Sequence, residues 1–291
     1  LAEEANNLAE KVLTATGVKV KASDRAGADK GSAATEYLIF IANREVEQLA
    51  DIAIAAFDEG KDPSKLKKEV AAVFHGKQAI DIACFGRMLA DAPDLNTDAS
   101  AQVAHAFSID QITPEYDYFT AVDDCASDDN AGAAMIDTVG FNSSTLYRYA
   151  TLNVDALRDQ LQDADAMVEG VSAFVEAFVK SMPSGKQNTF ANHTLPEDIV
   201  IVLRDSQPIS AADAFENPIK RKDGISVSRQ GIERLGDRLN EIRINYGEEP
   251  VKAWHVVSGG SVPSLDEWSE QVTLPELEQS LRETLSAAYS A

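Results

Sequence analysis

Apolar residues in the first quarter of the chain recur at helical spacing. This periodicity predicts amphipathic helices over residues 1–15, 43–57 and 63–74. Between the first two, residues 22–34 are rich in Gly, Ala, Asp and Ser and predict a flexible loop. Residues 37–41 are aromatic and β-branched, which predicts a short buried strand. The opening stretch is therefore expected to be mostly helical.

The pattern changes after residue 78, where short apolar runs alternate with helical periods. Strands are predicted at residues 79–85, 101–109, 144–154, 198–203 and 251–257. Helices are predicted at residues 163–180, 231–244 and 274–288. Strands alternating with helices indicate an α+β sheet domain that carries a helical insertion.

Residues 110–140 differ from both patterns, because they are rich in Asp, Ala and Gly with only scattered large apolar residues. We expect a long protruding hairpin or loop. Phe119, Met135 and Ile136 lie on this segment, which is too polar to build its own core. Such residues either fold back on the parent domain or contact a partner. Against a single-stranded nucleic acid they would wedge between bases or stack on them.

Two further segments are candidates for the same chemistry. Met88 follows Arg87 at the end of an apolar run and could act as a wedge, although methionine there is usually core filler. The loop at residues 184–189 combines a flexible backbone with one cation and amide donors, Lys186, Gln187 and Asn188. That combination suits a phosphate backbone, and it also suits an ordinary surface turn.

Length and composition exclude several classes of protein. A chain of 291 residues with 44% hydrophobic content can bury one elaborated domain or two small ones. Its longest apolar runs are far shorter than the roughly 20 residues that span a bilayer, so we expect no membrane partner. Two cysteines without a secretory signal fit a cytoplasmic location. The chain begins at Leu1 without a methionine, so we expect that an N-terminal piece is missing.

The formal net charge of −22 argues against free nucleic-acid binding, since phosphate contacts come from Lys and Arg. The charge is unevenly distributed. No Lys or Arg occurs from Met88 to Tyr147, whereas basic residues gather at residues 65–68, at Lys186 and between Lys220 and Arg243. An acidic protein can still present a narrow basic groove, and the alternative is a generally acidic protein from an acid-biased proteome.

Catalytic motifs are absent from the sequence. The four histidines lie far apart, and no HxH or HExxH spacing, Walker loop, dinucleotide loop or Gly-x-Ser-x-Gly elbow occurs. Cys125 follows two aspartates, which disfavour its thiolate. The acidic set Asp123, Asp124, Asp128 and Asp129 could hold Mg²⁺ for nuclease chemistry, although solvated loop acids are far commoner. We therefore predict no catalytic residue, metal or cofactor, with a metal-dependent ribonuclease as the alternative.

Six motifs, taken in order, resemble one known family. They are Ile80-Asp-Ile-Ala-Cys-Phe-Gly-Arg-Met88, Val103-Ala-His-Ala-Phe107, Asp117-Tyr-Phe-Thr-Ala-Val-Asp-Asp124, Leu146-Tyr-Arg-Tyr-Ala150, Gly185-Lys-Gln-Asn188 and Ala212-Asp-Ala-Phe-Glu216. In sequence and spacing they resemble the CasC family, the repeated backbone subunit of the type I-E CRISPR surveillance complex Cascade. The resemblance spans residues 79–246, whereas the helical start and the tail match only loosely.

The resemblance implies an α+β fold shaped like a right hand. Its ferredoxin-like palm, of the RNA-recognition-motif type, carries a helical fingers insertion and a long thumb hairpin. The implied divisions are fingers at residues 1–77, palm at 78–108, thumb at 109–142, and the rest of the palm with the C-terminal helices at 143–291. Members of the RAMP superfamily to which CasC belongs share this palm.

The implied function is that of a non-enzymatic CRISPR RNA (crRNA)-binding backbone subunit in antiviral defence. Copies would polymerise along the guide, each thumb reaching over RNA held by its neighbour, and the complex would recognise target DNA through guide pairing. Partners would be crRNA, further copies of the chain, other Cascade subunits and target DNA. The alternatives are a ribonuclease that uses Asp123 or Asp124, as in related type III complexes, and a protein-only scaffold.

Site residues follow from the motifs that carry the resemblance. Arg87 and Met88 would both contact the RNA, Met88 as the palm wedge, and Phe119 with Ile136 or Met135 would displace a nucleotide at regular intervals. Lys186, Gln187 and Asn188 would lie near the guide backbone. The family's N-terminal strand and basic guide-binding segment have no counterpart in this sequence. The chain as it stands is therefore expected to bind RNA poorly and to leave a sheet edge exposed.

Overall fold

The computed structural model describes residues 2–22, 33–121, 125 and 135–289. The chain divides into two units, each assembled from separate stretches. The first comprises Leu1–Val103, Ala150–Ala177 and Ser280–Ala291, and the second comprises Ala104–Tyr149 and Phe178–Gln279. Within the described ranges, every helix is too short or too polar to cross a bilayer.

Helices supply most of the regular structure. They are α1 (Ala2–Ala15), α2 (Asn43–Asp58), α3 (Lys67–Phe74), α4 (Ile80–Phe85), α5 (Val154–Leu161), α6 (Ala164–Lys180), α7 (Gln187–Phe190), α8 (Val227–Tyr246), α9 (Pro263–Asp266) and α10 (Leu274–Tyr289). Short 3₁₀ turns occupy Pro63–Lys65, Pro93–Leu95 and Ala212–Phe215.

The strands are short and form several small sheets. They are β1 (Val20–Ala22), β2 (Ala33–Thr35), β3 (Ala101–Val103), β4 (Phe107–Ser108), β5 (Glu115–Ala121), β6 (Met135–Phe141), β7 (Leu146–Tyr147), β8 (Ala150–Leu152), β9 (Asp198–Leu203), β10 (Lys252–Val257) and β11 (Glu270–Gln271). The pairs β1–β2, β3–β8, β4–β7 and β5–β6 are antiparallel. The α+β class predicted from the sequence is thereby confirmed.

The core of the first unit lies among its N-terminal helices. Val12 of α1, Leu49 of α2 and Val70 and Phe74 of α3 are buried in one apolar cluster, together with Leu89. Their helical spacing is what placed them on one side of each helix. At the start of α2, the Glu45 carboxylate accepts a hydrogen bond from the Ala42 N–H, which satisfies the backbone donor of the N-cap residue.

The second unit is built around a three-stranded sheet in the order β11-β10-β9. β10 pairs antiparallel with β9 and parallel with β11, and its central Trp254 is fully buried. Helix α8 packs closely against α9, because Gly236 has no side chain. A Cβ there would lie 2.6 Å from the Ser264 Oγ and 3.1 Å from the Leu265 Cγ. The β11-β10-β9 sheet has more strands than any other sheet in the described part of the chain.

A polar network ties α9 and β11 to the buried centre of this sheet. His255 of β10 is fully buried, with its Nδ1 2.8 Å from the Ser269 Oγ and its Nε2 3.1 Å from an Asp266 carboxylate oxygen. Burial lowers the pKa of His255, although the Asp266 carboxylate opposes that shift. The imidazole therefore serves as a buried hydrogen-bonding link between elements.

The helices predicted at residues 1–15, 43–57, 163–180, 231–244 and 274–288 are confirmed, as are the strands at 198–203 and 251–257. The predicted helix at 63–74 is interrupted near Leu66, where the first turn is 3₁₀. The region predicted as strand at 101–109 holds β3 and β4, and that at 144–154 holds β7 and β8. Most of the loop predicted at 22–34 lies outside the described residues.

Two strand predictions are wrong. The strand predicted at residues 79–85 is instead helix α4 from residue 80 to residue 85, which buries Ile82, Ala83 and Cys84. A run this short fits either the helical or the strand period, so periodicity could not distinguish them. Residues 37–41 form no strand, and Leu38 and Phe40 are exposed. No described strand pairs with that segment, so its backbone lacks the neighbour that a strand requires.

Because of Asp198, at the start of β9, we expect the free energy of unfolding to depend on pH. Burial raises the pKa of Asp198 to about 6, and its Oδ1 has no hydrogen-bond partner among the residues described. The folded chain then binds a proton that the unfolded chain releases near pH 4, so stability falls as the pH rises from about 4 to 6. Asp198→Asn removes this charge and should raise the free energy of unfolding at pH 7 by ~1–3 kcal/mol.

The gain should shrink towards zero at pH 4, where Asp198 is already protonated in the folded chain. Denaturant unfolding at both pH values measures it, with the exposed Asp205→Asn as the matched control. An equal gain at the two pH values would contradict the assignment.

Candidate nucleic-acid interface

The β5–β6 hairpin places its apolar residues on two opposite faces. Seven residue pairs align along it, including Phe119 with Asp137, Thr120 with Ile136 and Ala121 with Met135. Side chains alternate between faces along a strand, and directly paired residues share a face. Phe119 and Met135 therefore lie on one face, and Ile136 lies on the other. The sequence had left Ile136 and Met135 as alternatives, and the register separates them.

We name the two faces by their aromatic residues. The large apolar residues of the Phe119 face are Phe119, Met135, Val139 and Phe141, and those of the tyrosine face are Tyr116, Tyr118 and Ile136. The Phe119 face also carries the acidic residues Glu115, Asp117 and Asp137. On the Phe119 face, Phe119, Val139 and Phe141 are half-buried, whereas Met135 is exposed. The tyrosine face is open to solvent, with Tyr116 exposed to 74%. The tyrosines were missed as site candidates, although their spacing of two residues in a strand is a visible signal.

The base of the hairpin is fixed by aromatic packing in the second unit. The rings of Phe107 and Tyr147 lie 5.3 Å apart, and those of Tyr147 and Phe215 lie 5.2 Å apart. Burial among these rings raises the pKa of Tyr147 to about 12. Ile109 and Ile219 complete the buried cluster. The hairpin therefore emerges from a packed support.

A buried aspartate fastens the two ends of the hairpin to each other. Asp110 precedes β5, and its carboxylate accepts a hydrogen bond from the Thr145 N–H, beyond β6, at 3.0 Å. The Ile109 N–H donates to the Thr145 carbonyl, which closes the same end. The other carboxylate oxygen of Asp110 lies 3.7 Å from a guanidinium nitrogen of Arg221. These bonds resist splaying of the strands at their base.

The predicted backbone-contact segment adjoins the hairpin. Lys186 and Asn188 are exposed, and the ring of Phe190 lies 5.3 Å from that of Phe141, the last residue of β6. The segment is more ordered than the predicted loop, because α7 begins at Gln187, whose Nε2 donates to the Pro183 carbonyl at 2.9 Å. The structure thus brings Lys186, Gln187 and Asn188 together with the hairpin base in the second unit.

The backbone of Lys186 is strained. Its φ of 62° lies in the left-handed region, which costs of order 1–3 kcal/mol for a residue other than glycine. The conformation lets the Thr189 and Phe190 N–H groups turn back to the Lys186 carbonyl. The exposed ammonium is therefore carried on a tight, defined turn.

Met88 lies in the first unit and is 76% exposed. It is flanked by two anchored residues. Arg87 exchanges backbone hydrogen bonds with Thr97 at 2.9 Å in both directions, and the Leu89 N–H donates to the Asn96 side chain at 2.7 Å. Both flanking side chains are buried, so the intervening Met88 must point outwards. The exposure of Met88 is thus a consequence of the backbone geometry, and Met88 does not fill space in the core.

Arg87 does not fit the direct RNA contact predicted for it. Its side chain is fully buried and forms an ion pair with Glu45 at 2.8 Å. A phosphate could reach it only if this pair were broken and the guanidinium exposed, which is costly for a buried charge. The geometry favours a structural role for Arg87 in the turn that carries Met88.

A shallow cleft of about 320 Å³ surrounds Met88, lined by Phe85, Met88, Asn96, Thr97 and their neighbours. The ring of Phe85 is exposed and lies 6.2 Å from the ring of Phe174. The sequence prediction missed Phe85, because it treated residues 79–85 as a buried strand. Phe85 and Met88 together give the cleft an apolar side beside the amide of Asn96.

The basic region between Lys220 and Arg243 carries less free charge than the sequence indicated. Its arginines are largely paired with acids, namely Arg229 with Glu233 at 2.8 Å, Arg238 with Asp213 at 2.7 Å and Arg243 with Glu249 at 2.8 Å. Lys220 and Lys222 are exposed. The described residues include no group of three His, Cys, Asp or Glu side chains that could hold a metal ion. Asp123, Asp124, Asp128 and Asp129 lie outside the residues described.

Comparison with solved structures gives extensive matches. One chain of a structure described as a CRISPR RNA-guided surveillance complex, pre-nicking, is 28% identical with a TM-score of 0.82, over 98% of this chain and 79% of that one. A chain of a second structure, described as a CRISPR RNA-guided surveillance complex, is 31% identical with a TM-score of 0.64, over 72% of this chain and 78% of that one. No curated protein matches the sequence.

A family comparison covers almost the entire chain. The model of the CT1975-like protein family matches residues 1–280, which include all of the motifs on which the CasC resemblance rests. The resemblance is thereby confirmed, and the chain belongs to the CT1975-like protein family.

Proposed function

We propose that this chain is a non-enzymatic crRNA-binding backbone subunit of a type I-E Cascade complex. Copies polymerise along the guide RNA and, with other Cascade subunits, support recognition of target DNA in antiviral defence. The observation that carries the proposal is the β5–β6 hairpin, whose strands pair only with each other among the described strands. It exposes Met135, Ile136, Tyr116 and Tyr118 while its base is firmly packed.

Physical chemistry explains why such a hairpin needs a partner. An isolated two-stranded hairpin is marginally stable in water, and exposed apolar side chains gain free energy when they are covered. Nucleobases are suitable partners, because each has a flat face on which an aromatic or aliphatic side chain can stack. Stacking tolerates any sequence, so base pairing between guide and target is left to supply the specificity.

The proposed architecture is a right hand. A ferredoxin-like palm at residues 78–108 and within 143–291 carries the fingers at 1–77 and the thumb at 109–142. β5 and β6 lie within the thumb range, and the described regular elements within residues 1–77 are all helical apart from the small β1–β2 pair, which supports those two divisions. The matches to surveillance-complex chains support the same architecture.

Guide contacts are proposed for two kinds of residue. Met88, Phe119 and Met135 act as wedges or stacking platforms, and Lys186, Gln187 and Asn188 lie along the guide backbone. Because the chain is strongly acidic, few phosphates can be neutralised by its own cations, and stacking must contribute a large share of the affinity. The proposal therefore depends chiefly on the apolar residues.

The wedge residues are tested by truncation. Met88→Ala and Phe119→Ala should each weaken guide retention by the assembled complex by ~1–3 kcal/mol, the value of one stacked base. Ile54→Ala and Leu195→Ala, which also remove exposed aliphatic side chains, are the controls. The complex is co-expressed with a repeat–spacer transcript, and the bound RNA is quantified after salt washes. Full retention by both wedge variants would refute the proposal.

The hairpin register gives a sharper test. Met135→Ala should reproduce the loss seen in Phe119→Ala, since the two residues share a face, whereas Ile136→Ala, on the opposite face, should weaken guide binding less. Competition binding with labelled guide measures the three variants side by side. A larger loss from Ile136→Ala than from Met135→Ala would assign the guide contact to the tyrosine face.

The absence of catalysis is tested directly. Assembled complex incubated with guide-matched RNA and Mg²⁺ should leave the RNA intact over hours. The variant carrying Asp123→Ala and Asp124→Ala is the control. Cleavage at regular intervals that disappears in this variant would make the chain a metal-dependent ribonuclease instead.

A further inference from the structure

We propose that Arg87 is a positioning residue, whose buried ion pair with Glu45 sets the direction of the Met88 side chain. The inference rests on the proposed role of Met88 as a guide wedge. It adds a dependence of that wedge on the start of α2, 42 residues earlier in the chain.

The guanidinium of Arg87 is held by protein groups on several elements. One terminal nitrogen donates to both carboxylate oxygens of Glu45 at 2.8 Å. The other donates to the Phe74 carbonyl and to the Gln78 side-chain oxygen, each at 3.3 Å. Its carbon lies 4.8 Å from the centre of the Phe74 ring, a cation–π contact. The side chains of Arg87 and Glu45 are 0% and 4% exposed.

Such a pair fixes geometry more than it adds stability. The cost of removing both charges from water nearly cancels their attraction, so an apolar pair of the same volume would often be as stable. A planar guanidinium differs from an apolar group in that its donors point in fixed directions. Here those directions join the start of α2, the end of α3 and the turn at residues 86–88.

The same carboxylate fixes both the helix and the turn. Glu45 Oε2 accepts from the Ala42 N–H at 2.9 Å as well as from Arg87, so a displacement of the α2 N-terminus would pull on the guanidinium. Arg87 transmits that pull to its own backbone, and Met88 is the next residue. The ion pair at the centre of this path is shielded from water, because Glu45 and Arg87 are both buried.

The backbone on either side of Met88 leaves one direction open. Gly86 has a φ of +76°, and a Cβ there would lie 2.8 Å from the Thr97 carbonyl oxygen. The chain therefore passes tightly against residues 97–99 before reaching Arg87. On the other side, Leu89 is buried and held by Asn96. The direction of the Met88 side chain therefore depends on where the backbone of Arg87 is held.

The test uses Arg87→Lys, which keeps the positive charge but replaces the two terminal nitrogens by one, so it cannot contact Glu45 and the Phe74 carbonyl from separate donors held in one plane. Glu45→Gln is a second variant. In the assembled complex, Arg87→Lys should weaken guide retention by about tenfold, the range expected for one stacked base. The double variant Arg87→Lys with Met88→Ala should be no weaker than Met88→Ala alone. Val70→Ala, a fully buried residue of the same apolar core, is the control for a general loss of stability.

A direct measurement of the wedge accompanies the binding assay. The chain has four methionines, so isotope-labelled methyl groups give a simple spectrum in which Met88→Ala identifies the Met88 signal. Arg87→Lys and Glu45→Gln should both shift that signal. The signal of Met167, fully buried in the same unit, should stay in place. Val70→Ala should lower the melting temperature, with guide retention and the Met88 signal unchanged.

The possible failures are distinguishable. If Met88→Ala retains the guide fully, the wedge role in the proposed function is wrong, and this inference is overturned with it. If Met88→Ala weakens retention while Arg87→Lys does not, or if their effects add in the double variant, only the positioning role of Arg87 is overturned. A Met167 shift as large as that of Met88 would also overturn it, because the effect would then be general.

Discussion

Within the described part of the chain, each strand of the β5–β6 hairpin pairs with one other strand, so the ladder between the two is the interaction on which the proposed interface depends. Two strands cannot form an interior, and their side chains must alternate between two open faces. The seven aligned pairs set which residues share a face, and therefore which apolar side chains can act together. Everything else in the second unit that bears on the interface supports this ladder at its base.

That support comes from two different kinds of interaction. Phe107, Tyr147 and Phe215 pack their rings together at the base of the hairpin. The buried Asp110 accepts a hydrogen bond from the Thr145 N–H and so joins the segment before β5 to the segment after β6. The contact between Phe141 and Phe190 then joins the hairpin to the turn that carries Lys186. The proposed guide-binding surface is thus built on packed elements, which limit the conformational entropy that the protein would lose on binding.

In the first unit, a buried ion pair rather than aromatic packing holds the segment that carries the candidate contact residue Met88. Met88 is exposed because Arg87 and Leu89 are both fixed, and Arg87 is fixed by an ion pair deep within an apolar core. The charge of the chain as a whole is strongly negative, and many of its arginines are occupied by neighbouring acids. A protein with few free cations gains little affinity from phosphate contacts. In the proposed function, stacking by apolar side chains would therefore contribute a larger share of the affinity for RNA.

The sequence by itself determined the long amphipathic helices, the alternation of strands and helices, the exceptional segment at residues 110–140 and the motifs by which the family is recognised. These are local or pairwise in sequence: a helical period repeats over four turns, and a motif is a string of neighbours. Only the tertiary structure decided that residues 80–85 are helical, that Met135 rather than Ile136 shares a face with Phe119, and that Arg87 is buried. Each of those depends on a partner distant in the chain, such as Glu45 for Arg87 or the opposite strand for Phe119. The free energy of a short segment or a single charge is set by what it packs against, and a linear pattern does not contain that information.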